Sequence, residues 1–78
     1  MNPSFVLFDL LSGNVITDFA SESDAWDSLC RDASEAGLES IENLSLLRIQ
    51  DGHPTLVAME DELVRRVAHE MSQVASKR

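Results

Sequence analysis

The side chains that could perform acid–base or nucleophilic chemistry are few in this 78-residue chain, and they are scattered. One histidine, His53, lies in an Asp-Gly-His-Pro turn, and the other, His69, lies on the polar side of the last helical pattern. The single cysteine, Cys30, falls on the apolar side of a helical pattern and among acids, where core packing is expected rather than reactivity. No serine or cysteine has a sequence-local reason to meet either histidine, so we expect no catalytic residues.

Metal and cofactor sites are not expected either. A metal site needs ligands clustered in a fixed geometry. Glu62 and His69 share a helix face, but Arg65 and Arg66 crowd the position that a cation would take. The three glycines are isolated from one another, so no glycine-rich phosphate loop exists. The sequence therefore predicts neither a metal, nor a cofactor, nor an enzyme.

Two charged surfaces remain as candidate contacts for a partner. One is the acidic side of the first helical pattern, and the other is a basic side of the last helical pattern. These opposite charges could pair across a symmetric dimer, could engage two different ligands, or could simply be solvated. The candidate partner-binding residues are Asp24, Asp27, Asp32, Glu35, Arg65, Arg66 and His69.

The charge balance narrows the class of partner. The chain has 14 acidic and 6 basic residues, a formal net charge of −8. All of this net charge belongs to residues 1–47, which hold nine acids and one base. An acidic surface repels phosphate, so we expect no direct nucleic-acid partner and no membrane partner. A basic protein would be attracted instead.

The length and the cysteine content indicate one small intracellular domain. An apolar content of 44% over 78 residues is typical of a single globular domain, 1–78. A lone cysteine cannot form an intrachain disulfide, on which small secreted domains often depend. The N-terminal apolar run is short and is interrupted by Asp9, a poor signal-peptide pattern. We therefore expect a cytoplasmic protein.

Hydrophobic periodicity and turn residues predict the element order ββαββα. A loop with a bulge at Gly13 joins the first two strands, and Asp51-Gly52 is a strong hairpin signal between the last two. Ser21 is a helix N-cap, and Gly37 is a helix stop. The fold class is therefore α+β, with a four-stranded antiparallel sheet and two amphipathic helices. The predicted strands are 5–8, 15–19, 44–50 and 55–59, and the predicted helices are 22–36 and 60–78.

Both sides of the predicted strands are apolar. Phe5 and Leu7 point one way, while Val6 and Phe8 point the other. A sheet covered on one face normally alternates apolar and polar residues. Three explanations follow: one helix covers each face, one face is a dimer interface, or one face binds a partner. We expect a homodimer or a larger oligomer.

The aromatic residues favour a core over a nucleic-acid platform. All of them lie in the first 26 residues, and no basic residue is interleaved with them. Binding of single-stranded nucleic acid needs both aromatic and basic groups. We expect a core between the first hairpin and the first helix that contains Phe5, Phe8, Phe19 and Trp26.

The hairpin and the helix start also carry a resemblance. Phe8–Asn14, then Phe19, then Ser21–Ala25 resemble a group of small bacterial proteins of uncharacterised function with an FDxxSGN-type hairpin and a capped helix. The likeness covers most of the chain, but it consists of turn and cap residues, so it implies a fold rather than an activity. A weaker likeness is to HicB-type antitoxin domains, which also open strand, strand, helix.

The sequence therefore predicts a small, acidic, non-catalytic module for protein interaction or regulation, acting as a homo-oligomer. Its partner is expected to be another protein or a second copy of the chain. The alternative is an antitoxin-like acidic inhibitor, a nucleic-acid mimic that blocks a basic site on a partner protein.

Overall fold

A computed structural model describes residues 2–76 of the chain, and the side chains as far as Gln73. The protein is an α+β fold with the predicted order ββαββα, and its four strands form one antiparallel sheet in the order β2-β1-β3-β4. The predicted helix end at Lys77 and Arg78 lies outside the described residues. The elements are β1 (Ser4–Asp9), β2 (Asn14–Phe19), α1 (Glu22–Ala36), a 3₁₀ turn (Leu38–Ile41), β3 (Leu44–Gln50), β4 (His53–Met59) and α2 (Glu60–Ser76).

Local turn chemistry closes both hairpins. Asp51 and Gly52 have φ angles of 54° and 78°, the positive pair that a two-residue type I′ turn requires. In the first hairpin the Gly13 amide donates to the Asp9 carbonyl at 2.8 Å across a four-residue loop. The irregularity predicted at Gly13 lies further along β2, where Ile16 is the extra residue opposite the Leu7–Phe8 step of β1.

The first helix begins and ends at the predicted caps. The Ser21 hydroxyl accepts a hydrogen bond from the Asp24 amide at 3.1 Å. The helix ends at Gly37, whose φ of 90° is open to glycine and whose amide donates to the Ala33 carbonyl at 2.8 Å. Ala36, predicted on the apolar side, is the last residue of the helix and is exposed instead.

Both helices lie on the same face of the sheet. α1 packs over β1 and β2, α2 packs over β3 and β4, and the two helices contact each other. The explanation that one helix covers each face is therefore wrong. Phe8 was expected in the core but lies outside it, because the alternation along β1 points it away from the helices. The core consists of Phe5, Leu7, Ala25, Trp26, Leu29, Ala33, Ile41, Leu44, Leu46, Ala58, Leu63 and Val67.

Candidate functional site

The strand register defines a second, uncovered face of the sheet. Phe5 and Leu7 point from β1 into the core, so Val6 between them points to the opposite side. Cross-strand partners share a face. Val6 pairs with Leu47, and Leu47 pairs with Leu56, so one apolar row crosses three strands on the side away from the helices.

A second row runs parallel to the first. Phe8 pairs with Val15 on one side and with Ser45 on the other, and Ser45 pairs with Met59. A third row carries Ile49 and Pro54. We call this surface the open face, and its apolar members are Val6, Phe8, Val15, Leu47, Ile49, Pro54, Leu56 and Met59.

The open face leaves large apolar side chains in water. Val15 is 60% exposed and Leu56 is 51% exposed, one at each edge of the sheet. Leu10, Leu11 and Ile16 are also exposed, and they lie in the first hairpin beside the open face. In the described part of the chain, neither helix exposes a large apolar side chain. Between these two edges Val6, Phe8, Leu47 and Met59 are half-buried. Apolar surface patches usually mark contact sites, so the open face is the candidate functional site.

The open face carries little charge, although the chain carries much. Along its paired rows the one charged side chain is Asp18, the partner of Val6 at the β2 edge. The acids of α1 and of the first turn of α2 lie on the opposite side of the molecule, with the helices. The protein is therefore polarised, with an acidic helical side and an apolar sheet side.

The structure places the four predicted acidic contacts on the solvent side of α1. Asp24, Asp27, Asp32 and Glu35 are all exposed. Arg31 is exposed as well, one helical turn from two of these carboxylates. A basic group in the middle of this side weakens the negative potential that would attract a basic partner.

The three predicted basic contacts on α2 do not act as one group. Arg66 points towards α1, where its Nη2 lies 3.3 Å from Glu22 Oε2 and its Cζ lies 4.3 Å from the centre of the Trp26 ring. Arg65 and His69 are exposed, and the His69 ring nitrogen lies 3.0 Å from the Gln73 side-chain amide. Arg66 therefore joins the two helices, and two of the three residues remain directed to solvent.

Cys30 is half-buried on α1 and packs against the core. Burial raises the pKa of the Cys30 thiol, and the nearby carboxylates of Glu70 and Asp27 raise it further. The thiol therefore stays protonated at neutral pH and behaves as a small apolar group, as the sequence predicts.

The remaining polar groups form no assembly for chemistry in the part of the chain that the structure describes. No three histidine, cysteine, aspartate or glutamate side chains among these residues come together as metal ligands. His53 lies exposed at the start of β4, on a different element from His69. Among the same residues, no helix has the length and apolar character needed to cross a membrane.

The residues of the open face were not among the predicted partner contacts. The sequence indicated them only indirectly, because the strands are apolar on both sides. This pattern predicts that both faces of the sheet are apolar and that each one is covered by a helix, by a second copy or by a partner. The sequence did not show that Phe8 and Leu56 would share the uncovered side. That depended on both helices packing on the other side, a property of the tertiary structure.

Comparison with protein-family models, with curated proteins and with solved structures finds no match. The two resemblances noted in the sequence remain predictions. The geometry of the chain itself, above all the open face, is therefore the basis for a functional proposal.

Proposed function

We propose that this protein is a non-catalytic protein-interaction or regulatory module, and that the open face is its contact surface. The observation that carries the proposal is the apolar row formed by Val6, Leu47 and Leu56 on the side of the sheet away from both helices. Water-exposed apolar surface is unfavourable, and covering it is the main favourable term in protein association.

The chemistry of the surface favours a protein as the partner. Apolar side chains held on a rigid sheet match another apolar protein surface and offer nothing to a phosphate backbone. The net charge of −8 argues against nucleic acid and anionic lipid in the same way. The single cysteine supports a cytoplasmic setting, which is part of this proposal.

The acidic-inhibitor alternative depends on a different surface. It is favoured by the exposed carboxylates of Asp24, Asp27 and Glu35 on α1. Binding through that surface would be driven by charge and would weaken steeply with salt. Binding through the open face would persist at high salt, so the two functions separate in one experiment.

The test is capture of proteins by the tagged chain from a lysate of the native host, supplemented with an untagged copy of the chain. The informative variant is Leu56→Asp, which places a charge in the open face. The matched control is Thr55→Asp, which makes the same charge change on the adjacent residue of β4. Thr55 pairs with Arg48, which pairs with the core residue Phe5, so it points to the opposite side of the sheet.

We expect the tagged wild type to retain its captured protein at high salt, whether that protein is another gene product or the untagged copy. The Leu56→Asp variant should lose this capture, and the Thr55→Asp variant should keep it. If Leu56→Asp captures the same protein as the wild type, and the capture is lost at high salt, the proposal is wrong. If reversing Asp24, Asp27 and Glu35 to lysine also abolishes that capture, the acidic inhibitor replaces it. Recovery of the bait alone would contradict both functions.

A further inference from the structure

We infer that a second copy of this chain covers the open face, so that two sheets pack face to face in a symmetric dimer. The inference rests on the proposed function, because it names the occupant of the same surface. The small core and the distribution of charge support a second copy over an unrelated protein. The area of the face and the blunted edges of the sheet support association through the face.

The size of the chain favours self-association. A 78-residue domain buries a small core, and domains of this size commonly gain stability from disulfides, metals or oligomerisation. With one cysteine, the chain cannot form an intrachain disulfide. A second copy is always present at the concentration of the first, so it can cover the open face without depending on another gene product.

The open face supplies a large part of the area that a stable interface needs. With strands about 4.8 Å apart and a rise of about 3.3 Å per residue, four strands of six residues present roughly 400 Å² in flat projection. The accessible surface of the protruding side chains exceeds that projection. Specific interfaces begin at about 600 Å² for each partner, and the neighbouring Leu11, which is 78% exposed, adds area from outside these four strands.

The distribution of charge also permits two like-charged copies to meet. The acids of both helices lie on the side opposite the open face, so in a face-to-face pair the two acidic sides point away from each other. Asp18 is the one charge in the paired rows, and it lies at the β2 edge. A partner steered by opposite charge would be drawn to the helical side instead.

The edges of the sheet are poorly suited to pairing with another strand. The β4 edge contains Pro54, which has no amide hydrogen to donate. The β2 edge is bent by the bulge at Ile16. Proteins use these features to prevent edge-to-edge association. Association through the face is therefore favoured over extension of the sheet.

Asp18 selects between two symmetric arrangements. A two-fold axis parallel to the strands places β2 of one copy over β4 of the other, with the two Asp18 carboxylates at opposite edges of the interface. A two-fold axis across the strands places β2 over β2 and brings the carboxylates together. Like charges in an interface are destabilising, so the first arrangement is the one we infer.

The test is sedimentation equilibrium of the full chain from about 1 µM to about 1 mM, a range that covers weak and strong dimers. We expect the wild type to reach twice the 8.6 kDa mass of the chain. Leu56→Asp should raise the dimer dissociation constant about 100-fold or more, because each dimer loses two buried leucines. Thr55→Asp should leave it within about two-fold, since surface changes outside an interface have small effects.

Two further measurements keep the test decisive. If Leu56→Asp does not fold, as judged by circular dichroism, Val15→Asp at the opposite edge replaces it with the same expected weakening. Raising NaCl from about 50 mM to about 500 mM should strengthen the wild-type dimer, because it screens the repulsion between two acidic chains.

The inference is wrong if the wild type stays monomeric over the whole concentration range. It is also wrong if the dimer is unaffected by Leu56→Asp or by its replacement Val15→Asp, or if the dimer weakens as the salt concentration rises. A monomeric chain that captures another protein in a Leu56-dependent way would overturn the second copy and leave the proposed function standing. A monomeric chain that captures nothing would contradict both.

Discussion

The guanidinium of Arg66 on α2 lies over the indole ring of Trp26 on α1, with Cζ 4.3 Å from the ring centre. The Glu22 carboxylate completes the arrangement. Its Oε2 accepts a hydrogen bond from Trp26 Nε1 at 2.9 Å and one from Arg66 Nη2 at 3.3 Å. Trp26 is otherwise buried in the core, so one aromatic side chain joins the interior to a polar link between the two helices.

Arg66→Ala should lower the free energy of unfolding by about 1 kcal/mol, the sum expected from an exposed cation–π contact and a surface ion pair. Arg65→Ala is the matched control, because Arg65 is exposed on the same helix and should change stability by less than about 0.5 kcal/mol. Urea unfolding of both variants measures the difference. Equal stability of the two variants would show that the contacts of Arg66 with Trp26 and Glu22 contribute nothing to stability.

Gly52→Val should destabilise the second hairpin through the backbone alone. A Cβ at Gly52 would meet no atom within 4 Å, but its φ of 78° is unfavourable for a β-branched residue. The left-handed conformation costs roughly 1–2 kcal/mol for an ordinary L-residue, which thermal or urea unfolding would detect. Gly52→Asn should cost less, since asparagine tolerates this region. A valine variant as stable as the asparagine variant would contradict the backbone argument.

Asp9→Ala should have a pH-dependent effect on stability. Hydrogen bonds from the Leu11 amide and the Ser12 hydroxyl lower the pKa of Asp9 below its ordinary value of 3.8. A carboxyl with a lowered folded-state pKa stabilises the fold at neutral pH, and this contribution is lost as the pH falls through the folded pKa. The wild type should therefore be more stable than Asp9→Ala at neutral pH, and the difference should shrink below pH 3.8.

Chemical denaturation across that pH range measures the difference directly. Asp9→Asn is the control, because its side-chain oxygen can still accept from the Leu11 amide but has no proton to gain in this range. A difference between wild type and Asp9→Ala that stays constant on acidification would contradict the assignment.

Most of the local structure was predictable from the sequence, because it depends on neighbouring residues. The Ser21 cap, the stop at Gly37 and the Asp51-Gly52 turn were all confirmed. The displaced bulge at Ile16 was not predicted, since it depends on how β2 pairs with β1. Trp26 was correctly expected in the core, but its link to Arg66 across the helices has no signature in sequence spacing.

The sequence by itself determined the element order, the net charge of −8 and the fact that the strands are apolar on both sides. It did not determine which side would stay uncovered. Alternation along a strand is symmetric between its two faces, so Phe5 and Phe8 were equally good candidates for the core. Only the packing of both helices against the Phe5 side made Phe8 part of a surface and left that surface uncovered.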